Sequence, residues 1–197
     1  MRTHDLLQVT RGAGLIADDL PAWVSPSLVR APFVVVRRAP THGDLIPIGV
    51  RGTSRAERFP ALLHRRDIAQ AVAPESLAYP KASIRPLPAL TALPEVAKAA
   101  ARIDLVWGPA GSVGFELASG VETVTAQSDL DIVLRPTAAH ARAQLAEFAR
   151  CVAALDVRVD ASIESDVGAV ALSEWLASPD CVLIKTTSGP QLGAFSW

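Results

Sequence analysis

The run from residue 128 to residue 163 constrains the fold more than any other part of the chain. Residues 128–134, SDLDIVL, form a short apolar, β-branched segment that reads as a strand. Residues 138–154 carry Leu145, Phe148, Ala149 and Val152 on one side and Arg142, Glu147 and Arg150 on the other. That is the pattern of a helix with one wet face. Residues 156–163 then alternate, with Val157, Val159 and Ala161 facing one way and Arg158, Asp160 and Ser162 the other, as in a half-buried strand. A strand, a long helix and a second strand in direct succession form a crossover that can place both strands in one sheet. The expected class is therefore α/β (α+β), a mixed sheet with helices in the C-terminal half.

The rest of the chain supplies shorter pieces. Leu6, Leu7 and Val9 suggest a short strand or turn, and Pro21 to Val24 a helix entry with Asp19 as a possible cap. Residues 31–38 are β-branched and bounded by prolines, a clear strand. Residues 45–50 form a second strand, which Pro47 assigns to a sheet edge. Leu62, Leu63, Ile68, Ala69 and Val72 recur at helical spacing and predict a helix over 59–72. The proline-rich segment 80–88 reads as a linker, and 90–101 as an alanine-rich helix with Pro94 in its first turn. These readings give two domains: a smaller α/β domain at 1–83 and a catalytic domain at 84–197.

Half of the 197 residues are hydrophobic, enough for a substantial core, and fifteen prolines imply many turns. The net charge is -1 and the basic residues are spread along the chain, which argues against a nucleic-acid partner. Cys151 and Cys181 lack metal-ligand spacing and are expected as buried free thiols. No secretory segment follows Met1, and no apolar run is long enough to span a membrane, so a cytoplasmic protein is expected.

The chemistry concentrates between Trp107 and Leu134. Asp129 and Asp131 are two apart on a strand and so share a face. Paired carboxylates suit Mg²⁺, which prefers hard oxygen ligands. If the strands at 128–134 and 156–163 are neighbours, Asp160 joins the pair as a metal ligand, or deprotonates or positions an attacking hydroxyl. The alternative is that Asp129 caps a turn and Asp131 is merely exposed. Upstream, Gly108, Gly111, Ser112 and Gly114 form a glycine turn leading into a helix at 112–118. Its backbone N–H groups and the Ser112 hydroxyl can cradle phosphate, or it is simply a tight turn. It is neither a Walker loop nor a dinucleotide fingerprint. Lys185 can reach a phosphate as a point charge, and Glu116 can face the cleft or lie exposed in a first helical turn. Trp107, Trp175 and Trp197 are core or lid residues.

WGPAGSVGFELASG followed by SDLDIVL resembles the phosphoribosyl-dephospho-CoA transferases of bacterial malonate decarboxylase, its holo-acyl-carrier-protein synthases. The likeness extends to HDLL at 4–7, VVVRR at 34–38, GVRG at 49–52, VDASIE at 159–164, GAVALSEW at 168–175 and VLIKTTSGP at 182–190. This family in turn resembles the nucleotidyltransferase superfamily, whose sites combine a Gly-Ser turn with an Asp-x-Asp pair. Gly111-Ser112 matches the first element, Asp129 and Asp131 the second, and Asp160 the later acidic residue. The resemblance implies a Mg²⁺-dependent enzyme that transfers a phosphoribosyl-dephospho-CoA group from a triphosphoribosyl-dephospho-CoA donor. The acceptor it implies is a serine of the apo acyl-carrier subunit of malonate decarboxylase, with pyrophosphate leaving. Arg37, Arg38, Arg51, Arg55 and Arg58 would then contact the donor or the carrier protein. The competing readings are another nucleotidyltransferase-fold enzyme using a nucleoside triphosphate, or a carrier-binding module without catalysis.

Overall fold

Among the described residues, twelve strands and six α-helices follow one another in an order that separates two sheets. The structure, a computed structural model, describes residues 1–41, 43–54, 56–80 and 85–197. The first strands are β1 (Leu6–Val9) and β2 (Leu15–Ile16), followed by helix α1 (Val24–Arg30). Next come β3 (Phe33–Val36), β4 (Leu45–Arg51), β5 (Arg58–His64) and β6 (Ile68–Val72). Helices α2 (Pro88–Thr91) and α3 (Leu93–Ala101) lead to β7 (Val106–Pro109), α4 (Gly111–Ser119) and β8 (Leu130–Arg135). The chain ends with α5 (Arg142–Ala153), β9 (Val159–Glu164), β10 (Ala169–Ala171), α6 (Leu172–Ala177), β11 (Val182–Thr186) and β12 (Gly189–Gly193). The mixed α/β class expected above is the one observed.

Strands β1–β6 form one antiparallel sheet in the order β2-β5-β4-β3-β1-β6. Its core face alternates along the strands: Leu7 and Val9, Val34 and Val36, Ile46, Ile48 and Val50, Ala61 and Leu63, closed by Val24 of α1. Residues 59–72 are not a helix. They form β5, a 3-10 turn at Arg65–Asp67, and β6. The apolar spacing fits both readings, and the seven-residue register of β5 with β4, from Leu45↔His64 to Arg51↔Arg58, decides for the strand. Strand β4 is interior rather than an edge. Pro47 is tolerated because β3 stops at Val36, opposite Ile48, and only the Pro47 carbonyl is used on that side, accepting from the Arg37 N–H at 2.9 Å. The helix expected over 90–101 divides at Ala92, because Pro94 starts a new helix in α3.

Strands β7–β12 form the second sheet, in the order β12-β11-β10-β9-β8-β7. Every pair is antiparallel except β8 with β9, which the α5 crossover makes parallel. Helix α5 starts at Arg142, later than expected; the Ala141 N–H is taken by the Gln144 side chain at 2.8 Å. Leu130, Ile132 and Leu134 are buried from β8, Ile163 from β9 and Val170 from β10. Leu145, Phe148 and Val152 are the buried face of α5, which packs between α3 and α6.

The chain resolves into two compact units: Met1–Ala73 with Phe115–Thr123, and Pro74–Gly114 with Val124–Trp197. The first change of unit lies at Ala73/Pro74, ahead of the 83/84 boundary set from the proline-rich segment, of which 81–84 lie outside the described residues. Segment Pro74–Leu77 is held by the second unit. A Cβ on Gly108 would lie 2.1 Å from the Pro74 carbonyl, and Glu75 forms an ion pair with Arg135 of β8. Cys151 is half-buried and Cys181 exposed, so neither is the fully buried thiol expected. Among the described residues no helix is long and apolar enough to cross a membrane.

Candidate active site

The parallel register of β8 and β9 sets Asp131 directly opposite Asp160. Register partners project to the same face, and neighbouring strands lie about 4.8 Å apart. Two carboxylates so placed repel each other. Asp160 is balanced by Arg158, whose Nε donates to Oδ1 at 3.0 Å, in a largely exposed pair. Such a pair is worth about 0–1 kcal/mol and is readily exchanged for another partner. Asp129 is the residue just before β8, anchored by the neighbouring Leu130 N–H, which donates to the Arg158 carbonyl at 2.9 Å.

The glycine turn is built onto the same strand. The Ala110 N–H donates to the Asp131 carbonyl at 2.8 Å. Gly111, the first residue of α4, has φ +55, and a Cβ there would lie 1.9 Å from Asp131 Oδ2. The Asp131 carboxylate therefore rests against the bare Cα of Gly111, at the head of a helix. The first bond within α4 runs from the Gly114 N–H to the Ala110 carbonyl, 2.8 Å. The N–H groups ahead of it have no acceptor within the helix. Ser112 is the second residue of this turn and is half-buried. Gly114 serves close packing, since a Cβ there would come within 2.6 Å of the Pro109 carbonyl. Gly108 lies in β7 under the Pro74–Glu75 backbone, so it too is placed as a packing glycine.

The row of side chains on β9 continues past Asp160. Ser162 and Glu164 share its face; Glu164 is only 5% exposed, and the Ser162 hydroxyl donates to its Oε1 at 3.4 Å. Glu164 pairs with Ala169 of β10, which pairs in turn with Lys185 of β11. Lys185 is exposed and shares this face, with one alanine between it and Glu164. Glu164 was not singled out from the sequence, although the period of two that marked Asp160 and Ser162 leads straight to it. Glu116 is buried and braces the 120–123 loop, its Oε2 accepting from the Thr123 N–H at 2.7 Å. Trp107 is a buried strand residue, whereas the Trp175 and Trp197 rings pack at a tilt of 56°, centroids 4.7 Å apart, and donate to the Phe195 and Thr137 carbonyls.

Arg37 and Arg51 belong to the other unit, with Arg38 and Arg58; Arg55 lies outside the described residues. Among the described residues no three His, Cys, Asp or Glu side chains form a ready metal cage. Mg²⁺ does not need one: it is commonly held by one or two carboxylates and completes its shell with water and substrate phosphates. Asp131, seated on Gly111, with Asp129 two residues before it, is a donor set of that kind.

Comparisons with known proteins agree over the whole length. Residues 2–74 match the N-terminal domain, and residues 76–194 the C-terminal domain, of the family described as phosphoribosyl-dephospho-CoA transferase MdcG. The junction between the two matches coincides with the change of unit at Ala73/Pro74. A phosphoribosyl-dephospho-CoA transferase of Pseudomonas putida is 40% identical over 196 residues, covering 100% of this chain and 95% of the relative. Relatives of the same description from Pseudomonas aeruginosa and Azotobacter vinelandii are each 36% identical, covering 98% of this chain and 92% and 93% of their own lengths. No solved structure matches. With both domain models matched in order and relatives aligned almost end to end, the chain belongs to the phosphoribosyl-dephospho-CoA transferase family.

Proposed function

We propose that this chain transfers the 2'-(5''-phosphoribosyl)-3'-dephospho-CoA group from its 5''-triphosphate precursor to a serine of the apo acyl-carrier subunit of malonate decarboxylase, in the cytoplasm. The observation that carries this reading is the Asp131 carboxylate, opposite Asp160 and seated on Gly111 at the start of α4. Nucleotidyl-type transfer needs that arrangement: negative charge to hold a cation, and N–H groups beside it to hold phosphate.

Asp129 and Asp131 would hold Mg²⁺, which supplies charge neutralisation for the triphosphate and its leaving pyrophosphate. The Gly111–Ser112 turn binds the outer phosphates through backbone N–H groups and the Ser112 hydroxyl, with the positive end of α4 behind them. Lys185 adds a positive charge on the same sheet face. Asp160 gives up Arg158 and accepts the proton of the acceptor serine. The serine oxygen forms a bond to the innermost phosphorus, the bond from that phosphorus to pyrophosphate breaks, and the proton passes from Asp160 to solvent.

The test is transfer to purified apo carrier subunit, read as a gain in intact mass, with donor and Mg²⁺. Wild type is expected to load the carrier, and folded Asp131→Asn is expected not to. Failure of the wild type to load it would reject this substrate pair.

A further inference from the structure

The face of the second sheet that carries Asp131 and Asp160 continues onto the β11–β12 hairpin, and there it becomes apolar. Lys185 shares this face through Ala169 and Glu164, so Leu183, two residues before Lys185 on β11, shares it too. Leu192 of β12 is the register partner of Leu183, and Pro190 is the partner of Lys185. Leu183 is 41% and Leu192 74% exposed, against 3% for Val182 on the opposite face. All of these residues belong to the second unit.

Single exposed apolar residues are ordinary on a protein surface. These two are paired, on a face that elsewhere carries Asp131, Asp160, Ser162 and Lys185. The hairpin also holds them in place. Its register runs unbroken from Val182↔Gly193 to Thr186↔Gly189. At the turn, the Thr186 hydroxyl donates to the Gly189 carbonyl at 2.7 Å and accepts from the Ser188 N–H at 3.2 Å. On the opposite face Ile184 is packed against the β9–β10 turn, where a Cβ on Gly168 would lie 2.8 Å from its Cγ2. A contact surface fixed in advance loses little freedom on binding.

Shape and place say what covers the leucines. Leu192 projects from an edge strand, largely in water, whereas a small-ligand site is concave and buries most of its ligand. A protruding aliphatic pair instead fits a pocket on a folded partner. Two and three strand spacings across the sheet, and one step of two residues along it, put Leu183 about 12 Å and Leu192 about 16 Å from Asp160. A standard interface covers roughly 800 Å² per partner, roughly 30 Å across. A protein whose serine reaches Asp131 and Asp160 has the span to cover both leucines as well.

We infer that Leu183 and Leu192 are the docking contact for the acyl-carrier subunit, which they seat on the acidic face with its serine over Asp131 and Asp160. This rests on the activity proposed above and adds the surface that recognises the acceptor.

The experiment measures loading at varied carrier and at varied donor, together with calorimetric titration of the full chain with apo carrier in the absence of donor. Leu192→Ser is expected to raise the carrier KM about 10-fold and to weaken carrier binding to match, and the double variant Leu183→Ser, Leu192→Ser to do so further. The donor KM is expected to stay at its wild-type value. Leu192→Met, which keeps volume and apolarity, is expected to restore the carrier KM. Val29→Ser, the loss of an 87% exposed apolar side chain on α1, is expected to change nothing. Thermal melts establish that each variant is folded. An unchanged carrier KM in the double variant overturns the inference. So does a raised donor KM with unchanged carrier KM, which gives the leucines to the pantetheine arm of the donor. So does a wild-type dimer in sedimentation that Leu192→Ser dissociates without change in carrier KM, which gives them to a second copy. Failure of wild type to load the carrier rejects the activity instead. The donor-free titration then decides the docking: leucine-dependent binding keeps it, and absence of binding overturns it.

Discussion

The two sheets use the same strand periodicity to opposite electrostatic ends. In the first, an all-antiparallel ladder puts Arg51 opposite Arg58 and lays Arg37 across Gly49. In the second, the one parallel pair puts Asp131 opposite Asp160. Each sheet buries aliphatic side chains on one face and sets one like-charged pair in register on the other, where the second sheet also carries Arg158 and Lys185. The means of assembly differ. The arginine face grows from hairpins whose partners are close in the chain. The acidic face depends on the α5 crossover and on a turn packed onto β8 from β7.

The sharpest way to break this comparison is Asp131→Asn. It preserves shape and removes charge, so carrier loading should fall roughly 10²–10³-fold, with secondary structure intact by circular dichroism. An effect below tenfold would mean that the acidic face is not the reaction centre. Next in size is Glu75→Ala, which leaves Arg135 part-buried without its carboxylate. Stability of the second unit should drop by about 3 kcal/mol in chemical denaturation. A melt unchanged from wild type would show that Pro74–Leu77 is not fastened to this unit through that pair. Gly111→Ala should destabilise by about 1–2 kcal/mol through its positive φ. It should also displace the Asp131 carboxylate, lowering loading about tenfold or more. Retained loading would separate the turn from the carboxylate.

The smallest effect concerns Glu57, at the base of the β4–β5 connection. Hydrogen bonds from the Ser54 backbone N–H and then the Thr53 side chain lower its pKa below the ordinary 4.5. A lowered carboxyl pKa stabilises the folded connection above about pH 4.5, and that contribution is lost as pH falls through the lowered value. The protection factor of the Ser54 amide, its exchange rate relative to the unstructured rate at the same pH, should therefore fall on acidification. In Glu57→Gln, which does not titrate, the acid step should be absent. An identical pH profile in the variant would remove Glu57 as the cause.

Where pattern and pairing are local, the sequence was a good guide. The alternation of 156–163 and the apolar stripe of 138–154 locate β9 and α5 within a few residues, and with them Asp160 beside Asp131. Residues 59–72 misled because Leu62, Leu63, Ile68 and Val72 satisfy a helical spacing by chance, and only pairing with β4 selects the strand. Pro47 misled because a proline normally marks an edge, and where β3 ends cannot be read locally. Glu164 was legible in principle, by carrying the period of two one step further.

The sequence by itself determined the chemical inventory. It supplied two carboxylates at the head of a strand, a glycine turn, a crossover that joins two strands, and a likeness of nearly full length that the family comparisons bear out. Tertiary structure alone decided which glycine meets which carboxylate. Gly108 and Gly114 serve packing, while Gly111 holds the left-handed turn against Asp131. The reason is physical. Strand and helix periods are short-range properties that a chain displays along its length. The distance from a bare Cα to a carboxylate twenty residues away is set only when β7 and β8 pair and fix the turn between them.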